Sequence, residues 1–419
     1  MSAFPKKIIN YISISTIFSG ALSYNIGLFA EFRVFYIILL ALLIVFSLSL
    51  KNLYLDKKIF FSIYLLIIIS YFDVLTGNNT TLLLVKQAIG ILLNVLVFYL
   101  LFKVNNYDVL KLFKIYLNIA FIVALIGIFQ EIGWLLKLKF MYDFSYILPS
   151  SAWITDLVFH RRLIKICSIL PEPSVFCIVM MPAFFATLTS FFKNNLKFYN
   201  KFQSLVITLS IFLSFSLVGY LGMLFSLFLL TINQRAITKT ILKFLLIVPF
   251  LCITLYITIP EIKMRVDDTI KVLSGNKKIG ESNLSTFTWC SNIIVTFDSF
   301  RQHPFLGTGL GSYKINYDKY MPKVLAETEG KVYILNSEDA SSLFLRLLSE
   351  TGMLGVLLFF AFISKFYLKR VRDPGNYLWI INNASATVFF LKLVRSGNYF
   401  SEGLFLFFWL YYFSKVKSR

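Results

Sequence analysis

Long apolar stretches separated by short polar connections dominate the pattern along this chain. A membrane-crossing helix needs about 20 mostly apolar residues. The stretches predict spans at 8–29, 33–50, 59–75, 82–101, 112–135, 171–192, 203–217, 218–232, 244–260, 341–364, 377–394 and 399–414. The pattern therefore predicts an all-α, polytopic transmembrane helical protein with about 12 spans.

The apolar segment 203–232 allows one long tilted helix or two short helices broken near Ser216 and Gly219. Both flanks are basic and lack acidic residues, with Lys193, Lys197 and Lys201 before the segment and Arg235, Lys239 and Lys243 after it. Because short basic loops favour the cytoplasmic side, both flanks belong there and the segment crosses twice. Each crossing is then short, at about 21 Å by helix rise.

The distribution of basic residues also orients the rest of the chain, and it places both termini in the cytoplasm. The predicted organisation is spans 1–5 in 1–135, a first external loop at 136–170, spans 6–9 in 171–260, a large external loop at 261–340 between spans 9 and 10, and spans 10–12 in 341–419.

Composition supports a membrane protein, because 58% of the 419 residues are hydrophobic and the mean hydropathy is +0.75. The formal net charge of +20 would suggest nucleic acid as a partner of a soluble protein. Here the basic residues gather in short loops between spans, so we predict no nucleic-acid partner. The four cysteines show no metal-binding spacing and predict free thiols.

The 261–340 segment is the one long polar stretch, and its ten carboxylates balance ten Lys and Arg residues. Long loops of this kind are usually functional. Seven charged residues also fall at the external ends of their spans: Asp73, Lys86, Glu131, Glu172, Lys392, Arg395 and Glu402. Side chains reaching the interface could explain any one of them. Seven on one side predict a charged external vestibule.

Three short motifs could carry chemistry. The first joins Arg161, Arg162 and Lys165 to the sequence Pro171-Glu172-Pro173 at the start of a span. The prolines and Glu172 suit a helix N-terminus. The cations could instead form an anion site at headgroup level, because Arg makes bidentate contacts with phosphate.

The second motif combines Arg301 and His303 with a Gly-x-Gly-x-Gly run at 307–311. The glycine spacing is a weak phosphate-loop signal, because no strand–helix context supports a nucleotide fold. His303 is either structural or a proton-transfer group.

The third motif opens the tenth span, where Arg346 and Glu350 are four residues apart on one helix face. A lone carboxylate at that depth would be costly, so the spacing predicts a structural pair of Arg346 with Glu350. Gly352 and Gly355 would let another helix come close.

Three sequences together resemble the O-antigen polymerase and ligase superfamily. They are Glu-Pro-Ser at 172–174, HPFLGTGLGSY at 303–313 and SSLFLRLLSETGMLGVLLFF at 341–360. The resemblance implies a GT-C-like architecture with a periplasmic 261–340 loop, in the bacterial inner membrane. It also implies a glycosyltransferase that acts on undecaprenyl-pyrophosphate-linked oligosaccharide without metal or cofactor. A membrane lipid, a chain-length regulator and a flippase are the implied partners.

In that reaction a sugar hydroxyl attacks the anomeric carbon and negative charge grows on the leaving pyrophosphate, so preorganised cations lower the barrier. The candidate pyrophosphate-binding residues are Arg161, Arg162, Lys165, Arg265 and Arg301. The candidate general bases are Glu172, His303 and Glu350. Asp267-Asp268 is weak evidence for a metal, and we predict none.

Two features separate the possible functions. Ligases that resemble this chain carry a His-Asn pair where the tenth span begins, and Ser341-Ser342 stands there instead. We therefore predict a polymerase, with a ligase as the first alternative. A lipid-linked oligosaccharide transporter is the second alternative, although the chain lacks the paired, interrupted segments that transporters often show.

Overall fold

The computed structural model describes residues 3–25, 31–50, 57–148, 157–158, 163–191, 197–233, 250, 253–326, 335–369 and 377–418. The helices are α1 (Ala3–Ser15), α2 (Val34–Ser49), α3 (Lys57–Leu75), α4 (Thr81–Val104), α5 (Val109–Leu135), α6 (Lys139–Tyr142), α7 (Pro173–Phe191), α8 (Lys201–Leu213), α9 (Leu217–Ile232), α10 (Pro260–Leu273), α11 (Leu284–Gln302), α12 (Tyr313–Leu325), α13 (Leu343–Phe366), α14 (Leu378–Val394) and α15 (Leu404–Lys417).

Two antiparallel ribbons accompany the helices, and both are very short. Strand β1 (Ser23–Asn25) pairs with β2 (Glu31–Arg33), and β3 (Leu157–Val158) pairs with β4 (Leu163–Ile164). The fold is therefore essentially all-α, as predicted.

Four of the described helices are long and apolar enough to cross a membrane, namely α4, α5, α7 and α13. Shorter apolar helices accompany them, including α2, α8, α9 and α14. These helices support an all-α membrane protein. The number of spans, the domain boundaries and the sidedness stay predictions, and residues 244–249 and 251–252 of the predicted span at 244–260 lie outside the described residues.

The first predicted span, 8–29, is wrong as one continuous helix. Helix α1 ends at Ser15, a short 3-10 turn follows at Thr16–Phe18, and β1 begins at Ser23. Hydroxyl groups explain the early end, because Thr16 and Ser19 donate to carbonyls three residues back, at Ser13 and Thr16. Such bonds offer the backbone an alternative to the helix ladder.

The predicted break in 203–232 is present in the structure. Helix α8 ends at Leu213 and α9 begins at Leu217, and Phe215 between them has a φ of 46°. The break is occupied by another segment, since the Ile166 N–H donates to the Leu213 carbonyl at 3.2 Å. The two helices are therefore separate elements that β4 and its neighbours help to hold apart.

Helix α14 lies at the centre of the bundle, in contact with α7, α9, α13 and α15. Its first turns carry Asn382 and Asn383, both fully buried. Asn382 donates to the carbonyls of Phe366 and Tyr411, and Asn383 donates to those of Leu368 and Trp379. These two amides join α14 to the end of α13 and to α15.

Helices α10, α11 and α12 fold the polar 261–340 segment around a small apolar core of their own. Its buried members include Phe287 on α11 and Tyr313, Tyr317 and Met321 on α12. At one edge, the carboxylate of Asp268 accepts hydrogen bonds from Lys277 and Asn283. Burial acts to raise the pKa of Asp268, but these hydrogen bonds outweigh it and hold the value at about 2.

Helix α13 is interrupted at Gly352, whose φ of 59° and ψ of −158° are not helical. The loop at 303–311 inserts at this interruption. The N–H groups of Met353 and Leu354 donate to the carbonyls of Pro304 and Phe305 at 2.9 and 3.1 Å. In return, the N–H groups of Thr308 and Gly309 donate to the carbonyls of Ser349 and Glu350 at 3.1 and 2.8 Å.

We call the segment 303–309 the splint, because it supplies backbone partners on both sides of the break. Two glycines make the contact possible. A Cβ at Gly307 would lie 2.4 Å from the backbone of Glu350, and one at Gly352 would lie 2.6 Å from that of Phe305. The glycine-rich motif thus has a structural explanation that requires no nucleotide.

Candidate active site

A charged cavity of about 310 Å³ lies at one end of the bundle, a volume at the lower end of the usual range for ligand sites. Five segments line it: the turn after α1, the start of α2, the start of α7, residues 336–339 before α13, and residues 395–402 between α14 and α15. Among the described residues, the charged ones that line it are Glu172, Asp339, Arg395 and Glu402. Glu172 directly precedes α7, and Arg395 and Glu402 lie between α14 and α15.

Backbone conformations rare for L-residues cluster around the charged cavity. Positive φ angles occur at Asn336, Ala340 and Ser341 before α13, and at Ser396 and Glu402 between α14 and α15. Such conformations cost free energy and concentrate at functional sites, where the surrounding structure enforces them. The two segments enforce each other here, because the Ser396 N–H donates to the Ser341 carbonyl at 2.7 Å.

Glu172 and Arg395 face each other across the cavity, with 3.9 Å between the Glu172 Oε2 and an Arg395 guanidinium nitrogen. Glu172 directly precedes α7, and its Oε2 accepts a hydrogen bond from Ser174 Oγ at 2.8 Å. Both side chains keep access to solvent, at 54% for Glu172 and 32% for Arg395. This separation leaves the cation and the carboxylate available to a ligand.

A buried ion pair supplies another residue of the cavity lining. Lys392 is fully buried and pairs with Glu402, which is also buried. The Glu402 carboxylate accepts further hydrogen bonds from Ser396 and Ser401. Its acceptor capacity is therefore largely used within the protein, so Glu402 fixes the shape of the cavity.

The predicted pair of Arg346 and Glu350 is present in the structure, with 2.9 Å between Arg346 Nε and Glu350 Oε1. Arg346 also donates to Gln87 Oε1 and to the Gly397 carbonyl, and its guanidinium lies 4.4 Å from the centre of the Tyr399 ring. The Tyr399 hydroxyl completes the cluster by donating to Glu350 Oε2 at 3.1 Å.

This cluster ties three parts of the molecule together, because its members belong to α4, α13 and the segment after α14. Arg346 is 6% exposed and Glu350 0%. A carboxylate that is enclosed and held by two donors is poorly placed to accept a proton from a substrate. The geometry therefore favours the structural role of Glu350 over its candidate role as a base.

His303 and Arg301 lie at the end of α11, away from the cavity lining. The His303 carbonyl accepts the Gly307 N–H, so the residue helps to shape the splint. Burial, and then the positive charge of Lys319, lower the pKa of His303. Arg301 is exposed and lies 3.6 Å from Asp298.

The other candidate cations occupy scattered positions. Lys165 is buried just after β4, and Arg265 lies on α10. Arg161 and Arg162 fall outside the described residues. Among the described residues, Arg395 is the arginine that lines the charged cavity, and the prediction of pyrophosphate ligands omitted it. The signal that could have identified it was its place among the seven charges at span ends.

The carboxylates of Asp267 and Asp268 have separate partners. Asp267 accepts a hydrogen bond from Tyr256 at 2.7 Å, whereas Asp268 binds Lys277 and Asn283. Within the described part of the chain, no group of three or more His, Cys, Asp or Glu side chains is arranged to hold a metal ion.

Residues 202–360 match the family model described as Wzy_C: O-Antigen ligase. The matched region includes the splint, the interruption of α13 at Gly352 and the pair of Arg346 with Glu350, but it stops short of Arg395. No curated protein matches the chain. Residues 202–360 are thus similar to this O-antigen ligase family, in a chain whose described helices include four that are long and apolar enough to cross a membrane.

Proposed function

We propose that this protein polymerises repeat units of a lipid-linked polysaccharide at the charged cavity. The glycan on one undecaprenyl pyrophosphate is transferred to a sugar hydroxyl of a second lipid-linked repeat unit. The observation that carries the proposal is the partly solvated pair of Glu172 and Arg395 in a strained cavity. The family match supports the class of substrate, because this superfamily acts on lipid-linked glycans.

The transfer requires one bond to form and one to break. The acceptor oxygen bonds to the anomeric carbon of the donor glycan, and the bond from that carbon to the pyrophosphate breaks. The lipid pyrophosphate leaves with the bonding electron pair. Arg395 is the cavity cation that would stabilise the growing negative charge, since arginine forms charge-assisted hydrogen bonds with phosphate.

The proton of the acceptor hydroxyl must pass to a base within hydrogen-bond reach. Glu172 is the carboxylate that we assign, because it lines the cavity and stays half exposed. Glu402 already binds Lys392, and Asp339 accepts from Asn336 and from the Ser341 N–H. Arg161, Arg162, Lys165 and Arg265 remain proposed contacts for the rest of the pyrophosphate or the glycan.

Ser341 and Ser342 favour a polymerase over a ligase. In the ligases that this chain resembles, a His-Asn pair occupies this position. Here Ser342 caps the first turn of α13, and its hydroxyl donates to the Leu393 carbonyl at 2.6 Å. Ser342 thus fixes the start of α13 against the end of α14, which is a structural role.

We further propose a location in the bacterial inner membrane with both termini in the cytoplasm and the 136–170 and 261–340 segments in the periplasm. A membrane lipid, a flippase and a chain-length regulator of the same pathway are the proposed partners. If a reporter that works only after export is fused after Thr328, we expect the fusion to be active. A fusion that stays in the cytoplasm and is inactive would reverse the orientation.

A reaction with purified protein tests the function directly. Given one lipid-linked repeat unit as both donor and acceptor, a polymerase should produce a ladder of longer chains. A ligase should leave that substrate unchanged and transfer glycan only when lipid A-core is added. A transporter should form no new glycosidic bond in either mixture.

The phenotype of a deletion strain gives an independent answer. Loss of a polymerase should leave single repeat units on the final acceptor, because ligation still proceeds. An empty acceptor together with long lipid-linked polymer would show that the protein is the ligase.

A further inference from the structure

An apolar groove runs along α1, beginning at the basic N-terminal end of that helix and ending beside the charged cavity. Its volume is about 660 Å³. Its apolar lining includes Ile8, Ile12, Phe18, Leu22, Ile38 and Leu148. Thr16 and Ser19 belong to both the groove and the charged cavity. The groove is therefore continuous with the candidate active site at one end.

At its other end the groove continues into a basic pocket, and Lys7 and Tyr11 belong to both. The pocket has a volume of about 400 Å³, and its three cationic side chains are those of Lys7, Lys111 and Lys114. In the described part of the chain, Asp108 is the one acidic residue that lines the pocket, and its carboxylate already accepts the backbone N–H of Lys111. The pocket is thus positively charged.

The dimensions of the groove match one leaflet of a bilayer. Lys7 and Thr16 are nine residues apart on α1 and the turn that follows it, which gives about 14 Å at the helical rise. Half of the hydrocarbon core of a bilayer is about 15 Å thick. An acyl chain whose headgroup lies at Lys7 would therefore end near Thr16 and Ser19.

We propose that an anionic glycerophospholipid binds here, with its phosphate at Lys7, Lys111 and Lys114 and one acyl chain in the groove along α1. Charge complementarity selects the headgroup, because basic pockets between membrane helices bind anionic lipid headgroups. The chain then fills the apolar space beside α1, where Ile8 and Ile12 are each more than 40% exposed in the protein alone.

The position of the charge argues against the lipid tail of the glycan donor as the occupant. A donor bound at the charged cavity would have its pyrophosphate beside Thr16, and its tail would run toward Lys7. That arrangement gives the three lysines no anion to bind. A phospholipid from the opposite leaflet satisfies both the basic pocket and the apolar groove.

Lipid titration of the detergent-solubilised full-length protein, with bound lipids counted by native mass spectrometry, tests the proposal. Dioleoyl phosphatidylglycerol should bind more tightly than dioleoyl phosphatidylcholine. The double variant Lys111→Gln/Lys114→Gln should weaken phosphatidylglycerol binding roughly thirtyfold, from the usual contribution of each lysine near an anionic headgroup. It should leave phosphatidylcholine binding unchanged.

Lys415→Gln/Lys417→Gln is the matched control, because it removes the same charge at the end of α15 without touching the pocket. Lys7→Gln alone, expected to weaken binding about fivefold, provides the answer if the double variant fails to fold. The contact between the acyl chain and the groove is tested separately by Ile12→Trp. The larger side chain fills the groove and should weaken binding of phosphatidylglycerol, while the three lysines are unchanged.

Equal binding of the two lipids, or equal losses in the pocket variant and its control, would overturn the proposal. So would full competition by millimolar inorganic phosphate together with no effect of Ile12→Trp, because the ligand would then be a free anion. Displacement of phosphatidylglycerol by a stoichiometric amount of polyprenyl phosphate would assign the groove to the donor lipid instead. Since these measurements involve no glycan transfer, their outcome is independent of the proposed polymerase activity.

Discussion

The two ends of α14 are both polar, yet they differ in kind. At the first end, Asn382 and Asn383 use neutral amides to bind backbone carbonyls of α13, α14 and α15. At the other end, Lys392 pairs with Glu402, and Arg395 extends toward Glu172 beside an open cavity. At the first end the polar groups are buried and fully hydrogen-bonded. At the other end charged groups line a cavity large enough for a ligand.

The difference teaches which polar groups hold the fold and which are available for chemistry. A neutral amide loses less hydration on burial than an ion, so a clamp made of amides is a less costly way to join helices. Charges are retained in a low-dielectric region where they act on something charged. The charged end of α14 therefore indicates function, and the amide end indicates architecture.

The largest expected effect is at the buried pair of Arg346 and Glu350. Arg346→Ala should destabilise the protein by about 3–5 kcal/mol, because Glu350 is left as an uncompensated buried charge. Glu350→Gln should cost less, since the amide oxygen can still accept from Arg346. The double variant Arg346→Ala/Glu350→Gln should recover part of the loss.

Membrane abundance and thermal unfolding of the three variants measure this coupling. Losses that simply add would show that the pair does not stabilise the protein. A normal abundance of Glu350→Gln with no chain growth, and no rescue in the double variant, would return Glu350 to the list of catalytic groups.

The next effect in size should separate activity from stability at the cavity. Arg395→Gln should reduce glycan transfer by roughly ten- to a hundredfold or more, because a charge-assisted contact to phosphate contributes about 1.5–3 kcal/mol. Its unfolding midpoint should change little, since the side chain is partly exposed. Lys417→Gln is the control that loses the same charge far from the cavity. Equal chain lengths in the two variants would remove Arg395 from the site.

The amide end should show the reverse behaviour. Asn383→Ala removes two donated and two accepted hydrogen bonds, including those with Tyr367 and Asn233. Loss of a buried hydrogen-bonding partner costs about 1–3 kcal/mol. We expect a lower unfolding midpoint, with unchanged transfer activity per folded molecule. If Asn383→Ala had normal stability and impaired transfer, the distinction between a structural end and a functional end of α14 would be wrong.

The smallest effect should come from Arg301. Arg301 is exposed and lies 3.6 Å from the half-buried Asp298, and ion pairs at the protein surface contribute about 0–1 kcal/mol. Arg301→Gln should therefore change neither the unfolding midpoint nor the chain length by a measurable amount. A strong loss of chain growth would instead mean that Arg301 contacts the substrate as the sequence motif suggested.

Sequence reasoning worked where a single local rule was sufficient. Long apolar runs gave α4 and α9 within a few residues, and basic flanks gave the break between α8 and α9. The four-residue spacing gave the pair of Arg346 and Glu350. The early end of α1 was missed because its hydroxyl groups interrupt the helix without making the stretch polar.

The interruption of α13 was missed for a different reason. Met353 and Leu354 directly after Gly352 are apolar and helix-forming, and the partner that stabilises the break comes from the distant loop at 303–309. The choice of Arg395 needed the same kind of information. Nothing local marks it out from six other charges at span ends, and only the fold brings it to Glu172.

The splint has a consequence for how this protein can vary in length. Four backbone hydrogen bonds fix the 303–309 segment in register with both sides of the break at Gly352. An extra residue between Pro304 and Gly309 would carry the donors of Thr308 and Gly309 past their acceptors. Insertions and deletions are therefore excluded from this loop, although surface loops usually tolerate them. Diverging copies of this gene should keep the length of this segment and Gly307 unchanged, while its exposed side chains such as that of Phe305 vary.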